Sequence, residues 1–308
     1  MTLLLTHPDA DLHENPPGHA EQVARLASIR RALADMDLAR EEPVEATDVD
    51  LTRCHPQDYI DRLTAASPSD GWAQLDPDTY LCPGTVRAAR LGAGAAIGAV
   101  DSVLGGAHKT AFTAMRPPGH HAETAKPMGF CLFGNVAIAA KHALDVHGLD
   151  RVAVVDFDVH HGNGTQDLLW DEPRTLFVTS HQSPLWPGTG EVGDTGAHDN
   201  VINVPLPPGS DGSVFRARIQ PALDRLDAFA PQFVIISAGF DAHREDPLAQ
   251  LNWDEDDFIW ITERLYDLAD AHAGGRVVSC LEGGYDLTAL ASSVAAHVDV
   301  LRRRENGE

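Results

Sequence analysis

An α/β fold built on one mostly parallel sheet, with helices on both faces, is predicted for this chain by two observations. Short β-rich apolar runs alternate with longer segments of helical apolar spacing, and the residues able to do chemistry follow the ends of those runs. Leu3 to Thr6 is the first run, and His19 to Met36 carries the first helical spacing. A helix is expected from Thr85 to Leu104, whose segment Leu91 to Val100 holds three glycines and suits tight packing inside a globular core. The strand Thr110 to Ala114 and the helix Asn135 to His147 follow, then the apolar strand Val152 to Asp156. Thr175 to Thr179 and Val201 to Val204 read as strands, Gly212 to Phe229 as a helix, and Phe233 to Ser237 as a strand. Asp256 to His272, Val277 to Leu281 and Leu287 to Leu301 complete the alternation as helix, strand and helix. No composition break, repeat or linker divides residues 1–308, so one catalytic domain is expected.

With 308 residues, of which 43% are apolar, the chain can bury a full core. The net charge of -23, from 23 basic and 46 acidic residues, disfavours nucleic acid and anionic membranes and attracts cationic molecules. Only Lys109, Lys126 and Lys141 are lysines, and the acidic residues are dispersed, as on a generally acidic surface. No run approaches a membrane span and the N-terminus lacks a basic leader, so a cytoplasmic location is expected. Cys54, Cys82, Cys131 and Cys280 fall at no zinc-finger spacing and are expected to be reduced core residues.

The most informative stretch is Asp156-Phe-Asp-Val-His-His-Gly-Asn-Gly164, directly after the apolar run Val152 to Val155. Residues two apart in an extended chain face one side, so Asp158 and His160 can address one ion while Asp156 supports them. A buried cluster of this kind coordinates a metal or pairs, because unpaired buried charge is costly. Gly239 to Pro247 supplies further carboxylates, one of which can complete a three-ligand site. Two carboxylates and one imidazole leave a coordination position open, as catalytic zinc does. His120 and His121 can serve as general base and acid, and Tyr285 after Gly283-Gly284 can donate to an oxyanion. The reaction class is hydrolysis of an amide or ester without a covalent intermediate; no Gly-x-Ser-x-Gly and no phosphate-cradling loop competes.

The chain resembles the zinc-dependent histone deacetylases and their bacterial relatives, the histone deacetylase-like and acetylpolyamine amidohydrolases. The likeness runs from about His7 to the last helix. It rests on Arg116-Pro-Pro-Gly-His-His121, Met128-Gly-Phe-Cys131 with Asn135, Asp156 to Thr165, Pro187-Gly-Thr-Gly190, Gly239-Phe-Asp241, Asp246-Pro247 and Glu282-Gly-Gly-Tyr285. The resemblance implies the arginase/deacetylase fold and a Zn2+ ion held by Asp158, His160 and Asp246. It implies His121 as general base, His120 oriented by Asp156 as its electrostatic partner, and Tyr285 as oxyanion donor. It also implies a K+ ion through Asp156, Asp158, His160, Ser180 and His181. Phe130, with Gly129 before it, and Trp186 would line an acyl-lysine tunnel. The implied substrate is an acetylated lysine, with an acetylated polyamine as the alternative, and a homo-oligomer is left open.

Two positions depart from the pattern. Asn163 stands where some members carry Asp, as in the class II branch, and gives the second histidine an amide partner, so a less basic His121 is expected. Trp253, seven residues past Asp246, stands in the region of the Glu gatekeeper of the family's polyamine-selective member; it is either a bulky tunnel-mouth residue or a buried aromatic at a helix start. An arginase-like ureohydrolase would need a denser carboxylate array than Asp241 with His243 and gives the histidine pair no task. A non-catalytic acetyl-lysine reader would have no need of Tyr285.

Overall fold

A computed structural model describes all 308 residues. The chain runs β1 (Leu3–Leu5), α1 (Ala24–Ala32), β2 (Ala39–Glu41), α2 (Asp48–Leu51), α3 (Gln57–Ala66), β3 (Ala73–Gln74), β4 (Tyr80–Leu81), α4 (Thr85–Leu104) and β5 (Thr110–Thr113). It continues through α5 (Asn135–Asp145), β6 (Val152–Asp156), α6 (Asn163–Leu169), β7 (Thr175–Gln182), β8 (Val201–Leu206), α7 (Gly212–Phe229), β9 (Phe233–Ala238), α8 (Glu255–Ala273), β10 (Val277–Leu281) and α9 (Leu287–Asn306). Eight strands form one sheet in the order β2-β1-β5-β10-β9-β6-β7-β8, and every pairing within it is parallel. The predicted α/β class is what the chain adopts.

The inner strands β5, β6, β9 and β10 are buried at every residue, which is why they read as continuous apolar runs rather than as alternation. Register brings their ends level: Asp156 lies opposite Ser237, and Ala238 opposite Leu281. The loops leaving β6, β9 and β10 therefore emerge side by side from the middle of the sheet, where ligands of open parallel sheets bind.

Three expectations shift. The helix foreseen over His19 to Met36 shortens to Ala24–Ala32, because His19 and Glu21 are engaged in side-chain contacts at its start. Strand β7 extends to Gln182, so Ser180 and His181 lie inside it, paired with Val204 and Pro205, rather than beyond its end. The edge strand β2, the β3–β4 hairpin and helices α2, α3 and α6 were not foreseen; none exceeds ten residues.

Helix α4 packs closely enough that its glycines differ in consequence. A Cβ on Gly94 would be driven into the Val44 carbonyl, whereas one on Gly98 would meet only Leu5 Cδ2 at 3.6 Å. Gly94→Ala should therefore cost about 1–3 kcal/mol through overpacking against backbone. Gly98→Ala should be neutral or stabilise by up to about 1 kcal/mol through helix propensity. Denaturant titration of the two variants beside the parent checks the opposite signs.

Candidate metal and catalytic centre

The loop after β6 organises itself through backbone donors. Asp156 Oδ1 accepts from the Asp158 N–H at 3.0 Å, and Asp158 Oδ1 accepts from the His160 N–H at 2.9 Å. The other strands close the ring. Gly283 N–H, from the loop after β10, donates to Asp158 Oδ2 at 2.8 Å, and Val159 N–H donates to Asp241 Oδ1 at 2.9 Å. His160 Nδ1 sits between two carboxylates, 3.1 Å from Asp158 Oδ1 and 3.1 Å from Asp241 Oδ2. One atom from each of Asp158, His160 and Asp241 lies within 4.8 Å of the others.

Asp241 thus joins the cluster as a carboxylate that the expected ligand set of Asp158, His160 and Asp246 left out. The two oxygens of Asp246 accept from the Leu248 N–H at 3.0 Å and the Tyr285 N–H at 2.7 Å, tying its own loop to the loop that carries Tyr285. The Asp246 charge and those of Asp158 and Asp241 act on one another. His243 directs Nδ1 to the Glu245 N–H and Nε2 toward Glu255.

The cluster suits a divalent ion. Asp158 and Asp241 are fully buried like charges. Burial pushes the Asp241 carboxyl up to about 7, helped by the Asp158 charge beside it. Burial alone would lower His160, but its bonds to Asp158 and Asp241 outweigh this and raise it to about 10. The site thus draws a positive charge into its centre even from an imidazole. Gly239 and Gly283 form the walls, where a Cβ would fall on the Asp158 and Asp241 carboxylates, so the pocket around these oxygens exists only because both residues are glycine.

The tandem histidines lie beside the cluster with ring centroids 3.9 Å apart, and their environments push them in opposite directions. His120 Nδ1 meets Asp156 Oδ2 at 2.9 Å. Burial would lower its pKa, but the Asp158 and Asp156 charges outweigh that and hold it well above the usual range. His121 Nδ1 meets Asn163 Oδ1 at 2.8 Å, and burial followed by the charges on His120 and His160 holds it well below. The expected weak basicity of His121 matches that direction. Asn163 is oriented by donating to Glu123 Oε1 at 2.8 Å. Glu282 supports the pair from beneath, accepting from the Gly119 and His120 N–H groups at 2.7 and 3.1 Å.

Tyr285 is held by an ionic layer that the sequence reading missed. Arg25, fully buried, donates to the Gly284 carbonyl at 2.6 Å and to the Glu282 carbonyl, and its guanidinium lies 5.0 Å from the Tyr285 ring centroid. Arg25 and Arg116 share the Glu21 carboxylate. Burial keeps the Tyr285 phenol protonated, its pKa raised well above the usual value, and so able to donate.

A cavity of about 250 Å³ opens from the cluster, lined by Asp78, His121, Gly129, Phe130, His160, Leu185, Trp186, Leu248 and Tyr285. Gly129, Phe130 and Trp186 are where the resemblance placed them; Asp78, Leu185 and Leu248 were not foreseen. Trp253 is not at the mouth. It is 1% exposed, stacks on Phe215 at 4.0 Å, and its backbone N–H donates to the Ala242 carbonyl, so it backs the Asp241 loop from the core side. The ring of His181 donates to the Gly190 carbonyl and packs 4.9 Å from His161.

Residues 19–301 match the histone deacetylase domain. A histone deacetylase-like amidohydrolase from Pseudomonas aeruginosa is 39% identical over 90% of this chain and 74% of its own length. A probable deacetylase from Archaeoglobus fulgidus is 35% identical over 93% of this chain and 82% of its own. The crystal structure of the HDA15 HD domain superposes with a TM-score of 0.92 at 33% identity, covering 97% of this chain and 89% of that one. The chain belongs to the histone deacetylase family, whose members are hydrolases of the deacetylase/amidohydrolase type and in general zinc-dependent. No helix is long and apolar enough to cross a membrane.

The expected ligand set has a direct consequence. Asp158→Asn and Asp246→Asn should each lose most of the tightly bound ion. Metal content of the two variants after dialysis, measured by elemental analysis, checks this.

Proposed function

We propose that the chain is a zinc-dependent amidohydrolase that removes acetyl groups from lysine-like amines. The observation that carries the reading is the cavity itself, a slot lined by aromatic and aliphatic side chains together with the His121 imidazole, the Tyr285 phenol and His160 of the cluster. Asp158, His160 and Asp246 would hold the ion, with Asp241 as a further carboxylate beside His160; when bound the ion polarises an amide carbonyl and makes water more acidic.

The protein side chains supply the rest. Phe130 and Trp186 flank a linear methylene chain and exclude water from it, with Trp186 packed edge-on against His121 at 4.7 Å. His121, held neutral, accepts a proton through Nε2 from the attacking water, because its Nδ1 is engaged by Asn163. His120, kept cationic by Asp156 and Asp158, stabilises negative charge as it develops. The Tyr285 hydroxyl donates to the oxyanion, and the proton on His121 passes to the leaving amine. Potassium would bind through main-chain and carboxylate oxygens around Asp156, Asp158, His160, Ser180 and His181, where it would brace the loop after β6.

Acetylated polyamines are the second reading, and the observation in their favour is Asp78 in the cavity lining. Burial and its neighbour Asp76 raise the Asp78 carboxyl to about 6, and a substrate ammonium there would restore its charge. The deciding measurement is the ratio of kcat/KM for an acetyl-lysine peptide to that for acetylated spermidine and putrescine. The lysine reading expects the peptide to be favoured; a preference of more than about tenfold for acetylpolyamines, or roughly 1.4 kcal/mol in transition-state binding, replaces it with the second reading.

Tyr285→Phe should keep fold and metal and lose turnover by about a hundredfold to a thousandfold, since it removes one oxyanion donor. Steady-state kinetics beside metal analysis separates this from loss of the ion.

A further inference from the structure

We propose that Asp101, His142 and His147 form a second divalent-metal site, at the edge of the sheet opposite the catalytic cluster, that clamps α4 to α5. Both imidazoles direct Nε2 at one oxygen, Asp101 Oδ1, each at 2.7 Å. Their ring centroids are 5.5 Å apart, and one ligating atom from each of the three residues lies within 4.8 Å of the others. Aside from the catalytic cluster, this is the one group of three convergent donors.

The placement follows from the local sequence. Histidines five apart on a regular helix would diverge, but α5 ends at Asp145, its cap is Val146, and Gly148 adopts φ 68°, so the chain turns His147 back beside His142. Asp101 comes from the last turn of α4. The C-terminal ends of both helices thus converge here, and their macrodipoles favour a cation. The neighbouring Lys141 is turned to the Arg53 carbonyl and does not fill the site. Two imidazoles with one carboxylate select zinc, nickel or copper over magnesium or calcium.

His142 supplies a second argument. Its side chain is 8% exposed, yet Nδ1 has no hydrogen-bond partner, so the ring is fixed by Nε2 alone. A half-share in one carboxylate oxygen is a poor return for burying an imidazole, whereas a metal–nitrogen bond is a strong one. Asp101 is 52% and His147 24% exposed, which gives an ion access from solvent and leaves coordination positions for water.

Zinc is the probe, with protein lacking a polyhistidine tag and carrying its catalytic ion. After equilibrium dialysis against buffered Zn2+, the parent should hold about two ions per chain, and Asp101→Asn and His147→Asn about one each, with deacetylase turnover unchanged. Added zinc should raise the Tm of the parent and not that of either variant, because an ion that bridges α4 and α5 binds only the folded chain. The proposal is overturned if the parent holds about one ion, or if both variants retain the second.

Discussion

The arrangement of Asp158 and Asp241 around His160 is the constraint on which the rest of the structure depends. Two like charges buried within 4.8 Å of a shared partner repel by roughly 3 kcal/mol or more, even at an effective dielectric constant near 20. Nothing apolar can stand close to them, and each free oxygen needs a donor. The fold answers with backbone: three parallel strands end at the same level, and their loops turn inward to offer the N–H groups of Val159, His160 and Gly283. Glycine at 239 and 283 is what allows the loops to come so near. The central charge, whether an imidazolium or a divalent ion, completes the balance.

That requirement propagates outward in layers of alternating sign. Asp156 balances His120, and Glu282 braces the backbone beneath His120 while Ser237 donates to its other oxygen at 2.9 Å. Arg25 and Arg116, both fully buried, pair with Glu21, and Arg25 fastens the Glu282 to Tyr285 loop. Buried ion pairs of this kind are weak sources of stability, since desolvation offsets most of their attraction. Their value lies in geometry: they hold Tyr285 and His120 in fixed positions around charges that water would otherwise screen.

How much of this was legible in the sequence depends on the distance between cause and effect along the chain. The central strands were plain, because burial on both faces makes them uniformly apolar, and Val152 to Asp156 and Val277 to Leu281 needed no adjustment. Asp158 and His160 were equally plain, being fixed by a local two-residue period just past a strand. The place of Asp241 beside His160 was not foreseen, because it depends on how the loop after β9 folds back. Trp253 looked like a rim residue for the same reason; only its partner Phe215, 38 positions earlier, puts it in the core. The Arg25 layer was invisible because its contacts, at Glu282 and Gly284, lie more than 250 residues away.

The cavity also locates where selectivity resides. A methylene chain buried between Phe130 and Trp186 gains about 0.8 kcal/mol per CH2, and an acetylated lysine and an acetylated polyamine arm offer nearly the same methylenes. The walls therefore bind both substrate classes alike, and the base, the phenol and the cluster act on an amide that is the same in each. With Trp253 in the core, no bulky aromatic from the Asp241 loop narrows the entrance. On the proposed reading, discrimination falls to the rest of the cavity lining, above all the Asp78 carboxyl and Leu248. A net charge of -23 draws in either cation from a distance but does not choose between them. On the proposed reading the chemistry is set by the strand ends and the choice of substrate by lining residues such as Asp78 that lie apart from them, so changes there would redirect the enzyme without disturbing the charge balance that holds the centre together.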